Sequence, residues 1–135
     1  MKRYWIEYTP TRTTSPMTYW VHVPTDGKPW YQAAMFAPPL PRGIGGKGYP
    51  LYAVEIDGFT FRFASLAELR VCITTLGQKH LPTTISLSAG RGGAGPNSHW
   101  LSRLPKETKS WRYREQAVRF LQKALADFEQ VSEED

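Results

Sequence analysis

The chain has 135 residues, of which 41% are hydrophobic and 21% are charged, and its aromatic side chains comprise five Trp, seven Tyr and six Phe. This length excludes two full domains, and so many large apolar side chains exclude a chain that stays disordered. The sequence therefore predicts one globular domain over residues 1–135.

Charge is distributed unevenly along the sequence. Seventeen Lys and Arg against twelve Asp and Glu give a formal net charge of +5 at pH 7. All seventeen basic residues precede Asp127, whereas five of the twelve acidic residues lie from Asp127 to Asp135. A basic body with an acidic tail over residues 129–135 indicates a polyanionic partner, with the tail as a candidate competitor for the same surface. An ordinary solvated surface with a frayed terminus is the alternative.

Cysteine content and hydropathy indicate the cellular compartment. The single cysteine, Cys72, rules out an intrachain disulfide and permits a reducing compartment. The charged residues that open the sequence are not followed by the apolar run of a signal peptide, and no segment has the apolar length of a membrane span. We therefore expect a cytoplasmic protein with no membrane partner. Cys72 borders the apolar stripe of a predicted helix, which favours a packed, unreactive thiol.

The first half of the sequence is typical of β-strands. Residues 4–8 and 18–23 are rich in aromatic and β-branched side chains and are bounded by prolines, so both are predicted strands. Residues 30–36 alternate poorly, and either a strand or a helical turn fits them.

The strongest local signal is Asp57-Gly58, the dipeptide that a two-residue type I′ hairpin turn favours. It predicts a hairpin over residues 51–63 in which Ile56 faces Phe59. The next facing pairs are Val54 with Phe61 and Tyr52 with Phe63. All the large apolar side chains then share one face, and a shift of register by one residue would expose them to water.

Helices are predicted in the second half. Ser65 and Glu68 have the spacing of a capping box, so we expect a helix over about residues 66–77 that ends at Gly77. A short helix over residues 97–104 and a long C-terminal helix over about residues 110–130 follow. The expected core face of the long helix consists of Trp111, Ala117, Val118, Leu121, Ala124, Leu125 and Phe128.

The predicted fold class is α+β, with an antiparallel sheet of four or five strands packed by the capped helix and the long C-terminal helix. Two Gly- and Pro-rich segments, residues 37–50 and 88–97, are predicted mobile loops. The first carries Arg42 and Lys47 among its glycines, a composition that can approach a phosphate. Because Gly follows Lys47 and a hairpin follows the loop, neither the Walker nor the dinucleotide pattern is present, and we interpret the loop as a connector.

The basic residues of the second half contain a helical repeat. Arg112, Gln116, Arg119 and Lys123 are spaced i, i+4, i+7 and i+11, which places them on one side of the C-terminal helix, away from its apolar face. Such a stripe can neutralise phosphates, and Arg and Gln side chains can contact base edges. A solvated helix face, with an i, i+4 pair between Glu115 and Arg119, is the alternative.

Neighbouring residues extend this candidate nucleic-acid interface. The additional cations are Arg91, Arg103 and Lys109, and the candidate stacking faces are Trp100 and Tyr113.

An enzymatic alternative depends on His99. His99 lies one helical turn before Arg103. It could act as an acid or base while Arg103 binds the anion, and these two roles are the minimum for metal-free cleavage of a phosphodiester. The same spacing arises by chance, and a packing or capping histidine is the favoured interpretation. Because no His or carboxylate pair has metal-ligand spacing and one cysteine cannot form a structural zinc site, neither a metal nor another cofactor is predicted.

We therefore predict a non-enzymatic binding module whose partner is nucleic acid, DNA or RNA, with an acidic protein surface as the next candidate. A second hypothesis is an interaction or inhibitor module that binds protein through exposed aromatic side chains. Its candidate residues are Trp5, Trp20, Trp30 and Tyr49. The third hypothesis is a metal-independent, RNase-like enzyme that uses His99.

Overall fold

The computed structural model of the protein describes residues 1–12, 14–81 and 100–134, and only the backbone at 102–103 and 132–134. Within these ranges five β-strands and three α-helices form, and the predicted α+β class is confirmed. The strands are β1 (Lys2–Thr9), β2 (Val23–Pro24), β3 (Phe36–Ala37), β4 (Tyr49–Ile56) and β5 (Phe59–Phe63). The helices are α1 (Thr18–Val21), α2 (Leu66–Leu76) and α3 (Trp111–Glu134).

The described strands form two sheets. β1, β4 and β5 pair antiparallel in the order β1-β4-β5, whereas β2 pairs with β3 in a separate two-stranded ladder. The number of strands among the described residues is within the predicted four or five, but they divide three and two instead of forming one sheet. The strand predicted at residues 4–8 is confirmed as the central part of β1.

The predicted hairpin is confirmed in both turn and register. Ile56 pairs with Phe59, and the turn residues Asp57 and Gly58 have φ angles of 50° and 93°, as a type I′ turn requires. The pairs further from the turn are Val54 with Phe61 and Tyr52 with Phe63. β4 begins at Tyr49, earlier than predicted, because it also pairs along its whole length with β1.

The other face of the three-stranded sheet carries charged pairs. The Arg3 guanidinium contacts the Glu55 carboxylate, which joins β1 to β4. The Arg62 Nε lies 3.1 Å from the Glu7 Oε1, which joins the two outer strands. These basic side chains are therefore neutralised where they lie.

The strand predicted at residues 18–23 is wrong, since most of it forms α1. The Ser15 hydroxyl accepts a hydrogen bond from the Met17 amide at 3.1 Å, and the Thr18 hydroxyl accepts one from the Ser15 amide at 2.8 Å. This reciprocal capping starts a helical turn, and tertiary contacts to Thr18 then outweigh the strand propensity of the aromatic residues that follow. For residues 30–36, the helical-turn alternative is correct, because Trp30–Gln32 is a 3₁₀ turn.

The predicted loop over residues 37–50 is irregular up to Gly48, and its last two residues belong to β4. Ile44 and Gly48 form a short bridge that closes a tight turn. Gly48 has a φ of +102°, and a Cβ at this position would lie 2.3 Å from the Thr9 carbonyl oxygen. Only glycine therefore allows the loop to pass this close to the end of β1.

The predicted capped helix is confirmed as α2. The Ser65 hydroxyl accepts a hydrogen bond from the Glu68 amide at 3.2 Å, which is the first half of a capping box. The second hydrogen bond of a capping box is replaced, because the Glu68 carboxylate accepts a hydrogen bond from the amide of Ala64 and not from that of Ser65. Cys72, on the buried side of α2, is 0% exposed, and burial raises the pKa of its thiol, which confirms the predicted packed cysteine.

The long C-terminal helix is confirmed as α3, but its buried stripe is rotated from the prediction. The fully or nearly fully buried side chains are Arg114, Ala117, Leu121, Ala124 and Phe128. Val118 and Leu125 are half-buried at the edges of this stripe. Trp111 is 40% exposed, so its predicted place in the core is wrong. The stripe ends at Arg114 because the partner helix α2 ends there.

The acidic residues at the end of the sequence do not form a frayed tail. α3 continues to Glu134, so residues 129–134 are helical, and Asp135 lies outside the described residues. The Arg70 Nη2 on α2 lies 3.3 Å from the Glu129 Oε2, and the Tyr4 hydroxyl on β1 donates to the Asp127 carboxylate. The start of the acidic segment is thus attached to the fold.

The segment before α3 is described only in part. A 3₁₀ turn at Trp100–Arg103 occupies part of the helix predicted over residues 97–104, whose first three residues lie outside the described ranges. A second 3₁₀ turn, Lys106–Lys109, leads into α3. The predicted loop over residues 88–97 also lies outside the described residues.

Candidate nucleic-acid interface

The predicted basic stripe lies on the exposed side of α3. Arg112, Gln116, Arg119 and Lys123 are all exposed, and their spacing points them away from the buried stripe that faces α2 and the sheet. At 1.5 Å of rise per residue, they extend over about 16 Å of helix. We call these four side chains the outer face of α3.

Three of the four side chains of the outer face are cations, and the charged side chains nearest to them on α3 are Glu115 and Asp127. Arg119 Nη2 lies 3.2 Å from Glu115 Oε1 in the predicted i, i+4 pair, with both side chains well exposed. Within the described part of the chain, neither Arg112 nor Lys123 forms an ion pair. Because an exposed pair is screened by water, Glu115 leaves Arg119 able to contact another anion.

Of the three cations predicted to extend this interface, the structure describes the side chain of one. Lys109 is half-buried at the end of the 3₁₀ turn that precedes α3. Arg91 lies outside the described residues, and at Arg103 only the backbone is described. The described interface therefore reduces to the outer face of α3 with Lys109 at its start.

The two predicted stacking residues are buried to different degrees. Trp100 is 4% exposed and belongs to the hydrophobic core. Tyr113 is half-buried, and its hydroxyl donates to the Ile56 carbonyl at 3.2 Å. Burial raises the pKa of Tyr113 to about 12, so this hydroxyl stays protonated as a donor. Both aromatic side chains support the fold.

Sequence reasoning missed the role of Arg114, which the predicted core face of the C-terminal helix did not include. Arg114 is 4% exposed, and its Nη1 donates to the Leu76 carbonyl at 3.0 Å and also to the Gln78 carbonyl. Its Nη2 donates to the Lys79 carbonyl at 3.1 Å and its Nε to the Lys109 carbonyl at 2.9 Å. The side chain therefore binds the carbonyl groups that α2 leaves unpaired at its end. The sequence did contain a signal for this burial, because the helical spacing places Arg114 in line with the buried stripe of α3.

A second missed feature is a buried polar cluster around Glu68. The carboxylate is 0% exposed and accepts hydrogen bonds from the Thr18 hydroxyl at 2.9 Å and the Ala64 amide at 3.0 Å. The Ser15 hydroxyl donates to it as well, and the His22 Nε2 lies 3.3 Å from its Oε2. The cluster joins α1 to the start of α2.

His22 completes this cluster and is also 0% exposed. Its Nδ1 lies 2.7 Å from the Pro38 carbonyl oxygen and its Nε2 lies 2.7 Å from the Ser65 hydroxyl. Burial disfavours the charged imidazolium, but the hydrogen bonds with Glu68 and Pro38 outweigh burial and raise the pKa of His22. Serine, histidine and glutamate meet here, yet full burial keeps any substrate away, so we assign the group a structural role. The catalytic candidate His99 lies outside the described residues.

The aromatic residues of the second hypothesis are largely covered. Trp20 is 9% exposed and belongs to the core. Trp5, Trp30 and Tyr49 are half-buried, and the Arg3 guanidinium lies 5.0 Å from the Trp5 ring centroid. The most exposed large apolar side chain after Met1 is instead Tyr31.

The remaining findings concern metal sites, membrane spans and similarity to known proteins. Within the described ranges, no group of three or more His, Cys, Asp or Glu side chains could hold a metal ion. None of the helices in those ranges combines the length and apolarity that crossing a bilayer requires. No protein-family model matches the chain, and no curated protein or solved structure is significantly similar to it.

Proposed function

We propose that this protein is a non-enzymatic module that binds nucleic acid through the outer face of α3. The observation that carries the proposal is the clustering of Arg112, Arg119 and Lys123 on one exposed helix face, with Gln116 between them. The neighbouring carboxylate of Glu115 forms an ion pair with Arg119.

The chemistry of these side chains suits a polyphosphate. Guanidinium groups bind phosphate oxygens through two parallel hydrogen bonds, and an ammonium group adds a point charge. Each phosphate neutralised by such a group releases a condensed counterion, which makes the affinity fall as salt is added. Of the other arginines, Arg114 is buried and held by backbone carbonyl groups, so it does not contribute to such a surface.

Fluorescence anisotropy tests the proposal with labelled duplex DNA, single-stranded DNA and RNA over a salt series. We expect micromolar or tighter binding to at least one of these, with a logarithmic affinity that falls linearly with the logarithm of salt concentration. The triple variant R112Q/R119Q/K123Q should weaken binding and lower the salt slope by about one unit per side chain removed. Binding that is absent at low salt contradicts the proposal.

A matched control separates this helix face from net charge. The variant R3Q/R62Q/R70Q also removes three positive charges, and all three of its side chains are exposed and bonded to carboxylates. It should retain most of the affinity. Equal losses in both triple variants would mean that binding follows net charge and not the outer face of α3.

An acidic protein surface is the alternative partner for the same face. Polyglutamate distinguishes the two, because it offers carboxylates without a sugar–phosphate backbone. If the proposal is correct, unlabelled RNA or DNA displaces the labelled probe at much lower charge concentration than polyglutamate does. Equal displacement would favour the acidic protein.

A further inference from the structure

A cavity of about 620 Å³ opens beside the β2–β3 hairpin, and its lining includes no residue of α3. Its size falls in the range of about 300–1,000 Å³ that small-molecule sites occupy. The lining combines two arginines with aromatic and aliphatic side chains. The members used below are Arg12, Trp30, Tyr31, Met35, Phe36 and Arg42.

The aromatic wall of the cavity is held in place. The Trp30 and Phe36 rings lie with their centroids 5.0 Å apart, and the Trp30 indole donates to the His22 carbonyl at 2.8 Å. This wall thus connects to the rigid polar cluster behind α1. A flat ring entering the cavity would meet a surface that is already ordered, which lowers the entropic cost of binding.

Large apolar side chains stand exposed at the cavity. Tyr31 is 80% exposed and Met35 is 63% exposed. Their backbone is fixed, because Asp26 accepts a hydrogen bond from the Ala34 amide at 2.9 Å and the Thr25 amide donates to the Met35 carbonyl at 2.9 Å. Apolar surface that a folded segment holds in water is a recurring mark of a binding site.

The two arginines give the cavity a positive charge. Arg12 follows β1 and Arg42 precedes β4, so they reach the cavity from separate segments. The Arg12 guanidinium lies 5.3 Å from the Tyr49 ring centroid, and Arg12 and Arg42 are both exposed. No carboxylate lines the cavity, and neither arginine has a salt-bridge partner in the described part of the chain.

We infer that this cavity binds a small organic anion built on an aromatic ring. The ring would lie against Trp30 and Tyr31, and the anionic group would be held by Arg12 and Arg42. Nucleoside monophosphates and aromatic carboxylates share this chemistry. The inference does not depend on the outer face of α3, which contributes no lining residue.

Isothermal titration calorimetry on the full chain tests the inference with four probes. Adenosine monophosphate and phenylacetate carry both a ring and a negative charge, adenosine carries the ring alone, and inorganic phosphate carries the charge alone. At least one of the first two should bind, and its identity distinguishes a phosphate ester from a carboxylate. Adenosine and inorganic phosphate should bind at least about tenfold more weakly, because each forfeits one kind of contact. Failure of both aromatic anions at millimolar concentration, or equal binding of adenosine, overturns the inference.

Variants then place the binding in this cavity. R12Q and R42Q should each lower the affinity by about tenfold, as expected for the loss of one charge-assisted contact. Y31A should weaken binding of the ring. R70Q removes an exposed arginine that does not line the cavity and should bind as the natural protein does. Because these side chains are exposed, the variants are expected to fold, and circular dichroism checks this. An R12Q/R42Q double variant with unchanged affinity would overturn the inference, whereas loss of nucleic-acid binding in the α3 variants would leave it intact.

Discussion

Two arginines on α3 show how strongly the setting of a charge decides its role. Arg114 is 4% exposed and binds carbonyl groups from the end of α2 and from the turn before α3. Arg119 lies little more than one helical turn further on, with 76% of its side chain exposed and one screened contact to Glu115. Several hydrogen bonds hold the buried guanidinium of Arg114 in the fold, whereas the exposed guanidinium of Arg119 remains available to a partner.

The same contrast separates the Glu68 cluster from the outer face of α3. Removing one member of a buried charged network leaves donors or acceptors without partners in a medium that solvates them poorly. Removing an exposed charge leaves its former neighbour in water. Stability should therefore respond to the first group and binding to the second. The following experiments sharpen this division or break it.

The largest expected effect is that of Glu68→Ala. The Thr18 hydroxyl, the Ala64 amide and the His22 ring would lose a shared partner in the interior. We expect the free energy of unfolding to fall by about 3–5 kcal/mol, as for other broken buried pairs. Urea denaturation followed by tryptophan fluorescence measures this, and a loss within the range of a surface substitution would refute the buried cluster.

Replacing Arg114 with Met should have the next largest effect. Met replaces the aliphatic part of the side chain, but the carbonyls of Leu76, Gln78 and Lys79 lose their donor. Because hydrogen bonds to a charged group are worth about 1.5–3 kcal/mol, we expect a loss of about 3 kcal/mol. Amide hydrogen exchange should show faster opening at the end of α2. Protection that stays unchanged there would contradict the assigned role.

The pH dependence of stability tests the His22–Glu68 contact. The folded protein holds the His22 proton more tightly than the unfolded chain, so the resulting stabilisation is complete below about pH 6.5, the ordinary histidine pKa. It is lost as the pH rises through the raised pKa of the folded state. The unfolding free energy should therefore decrease across this window.

Glu68→Gln provides the control for that measurement. The substitution keeps the shape of the side chain and removes the negative charge beside His22. The decrease in unfolding free energy above pH 6.5 should then become shallower, because the hydrogen bond that helps raise the pKa of His22 has changed. A profile identical to that of the natural protein would mean that another group titrates.

The smallest expected effect on stability is that of Arg119→Gln. Only the exposed contact with Glu115 is lost, so urea denaturation should show a change in unfolding free energy of less than about 0.5 kcal/mol. The affinity for nucleic acid should nevertheless fall. A strong destabilisation would break the distinction between buried and exposed charges on this helix.

The elements that the sequence predicted correctly are those determined by neighbouring residues. Asp57-Gly58 specifies both turn and register over a few residues, and Ser65 with Glu68 caps α2 within one turn. The helical spacing of the outer face likewise needed only α3. For α1, the sequence held a usable signal in Ser15-Pro16, a pair typical of turns that lies just before the helix, but the strand propensity of the next residues obscured it.

The remaining features depend on residues far apart in sequence. Glu68 is buried because Ser15, Thr18 and His22 surround it from about fifty residues earlier. Trp111 is exposed and Arg114 is buried because α2 ends opposite Arg114, and helical periodicity alone does not contain this packing. Trp100 likewise belongs to the core through contacts with residues distant in sequence.

The attachment of Asp127 to Tyr4 and of Glu129 to Arg70 changes what a shortened chain would reveal. A polypeptide that ends just before Asp127 would lose these two contacts and also Phe128, a buried core side chain whose ring lies against those of Tyr4 and Tyr52. Trimming would thus weaken the packing of α3 against β1 and β4 before it relieved any self-inhibition, and greater exposure of the first strand to proteases would be its signature.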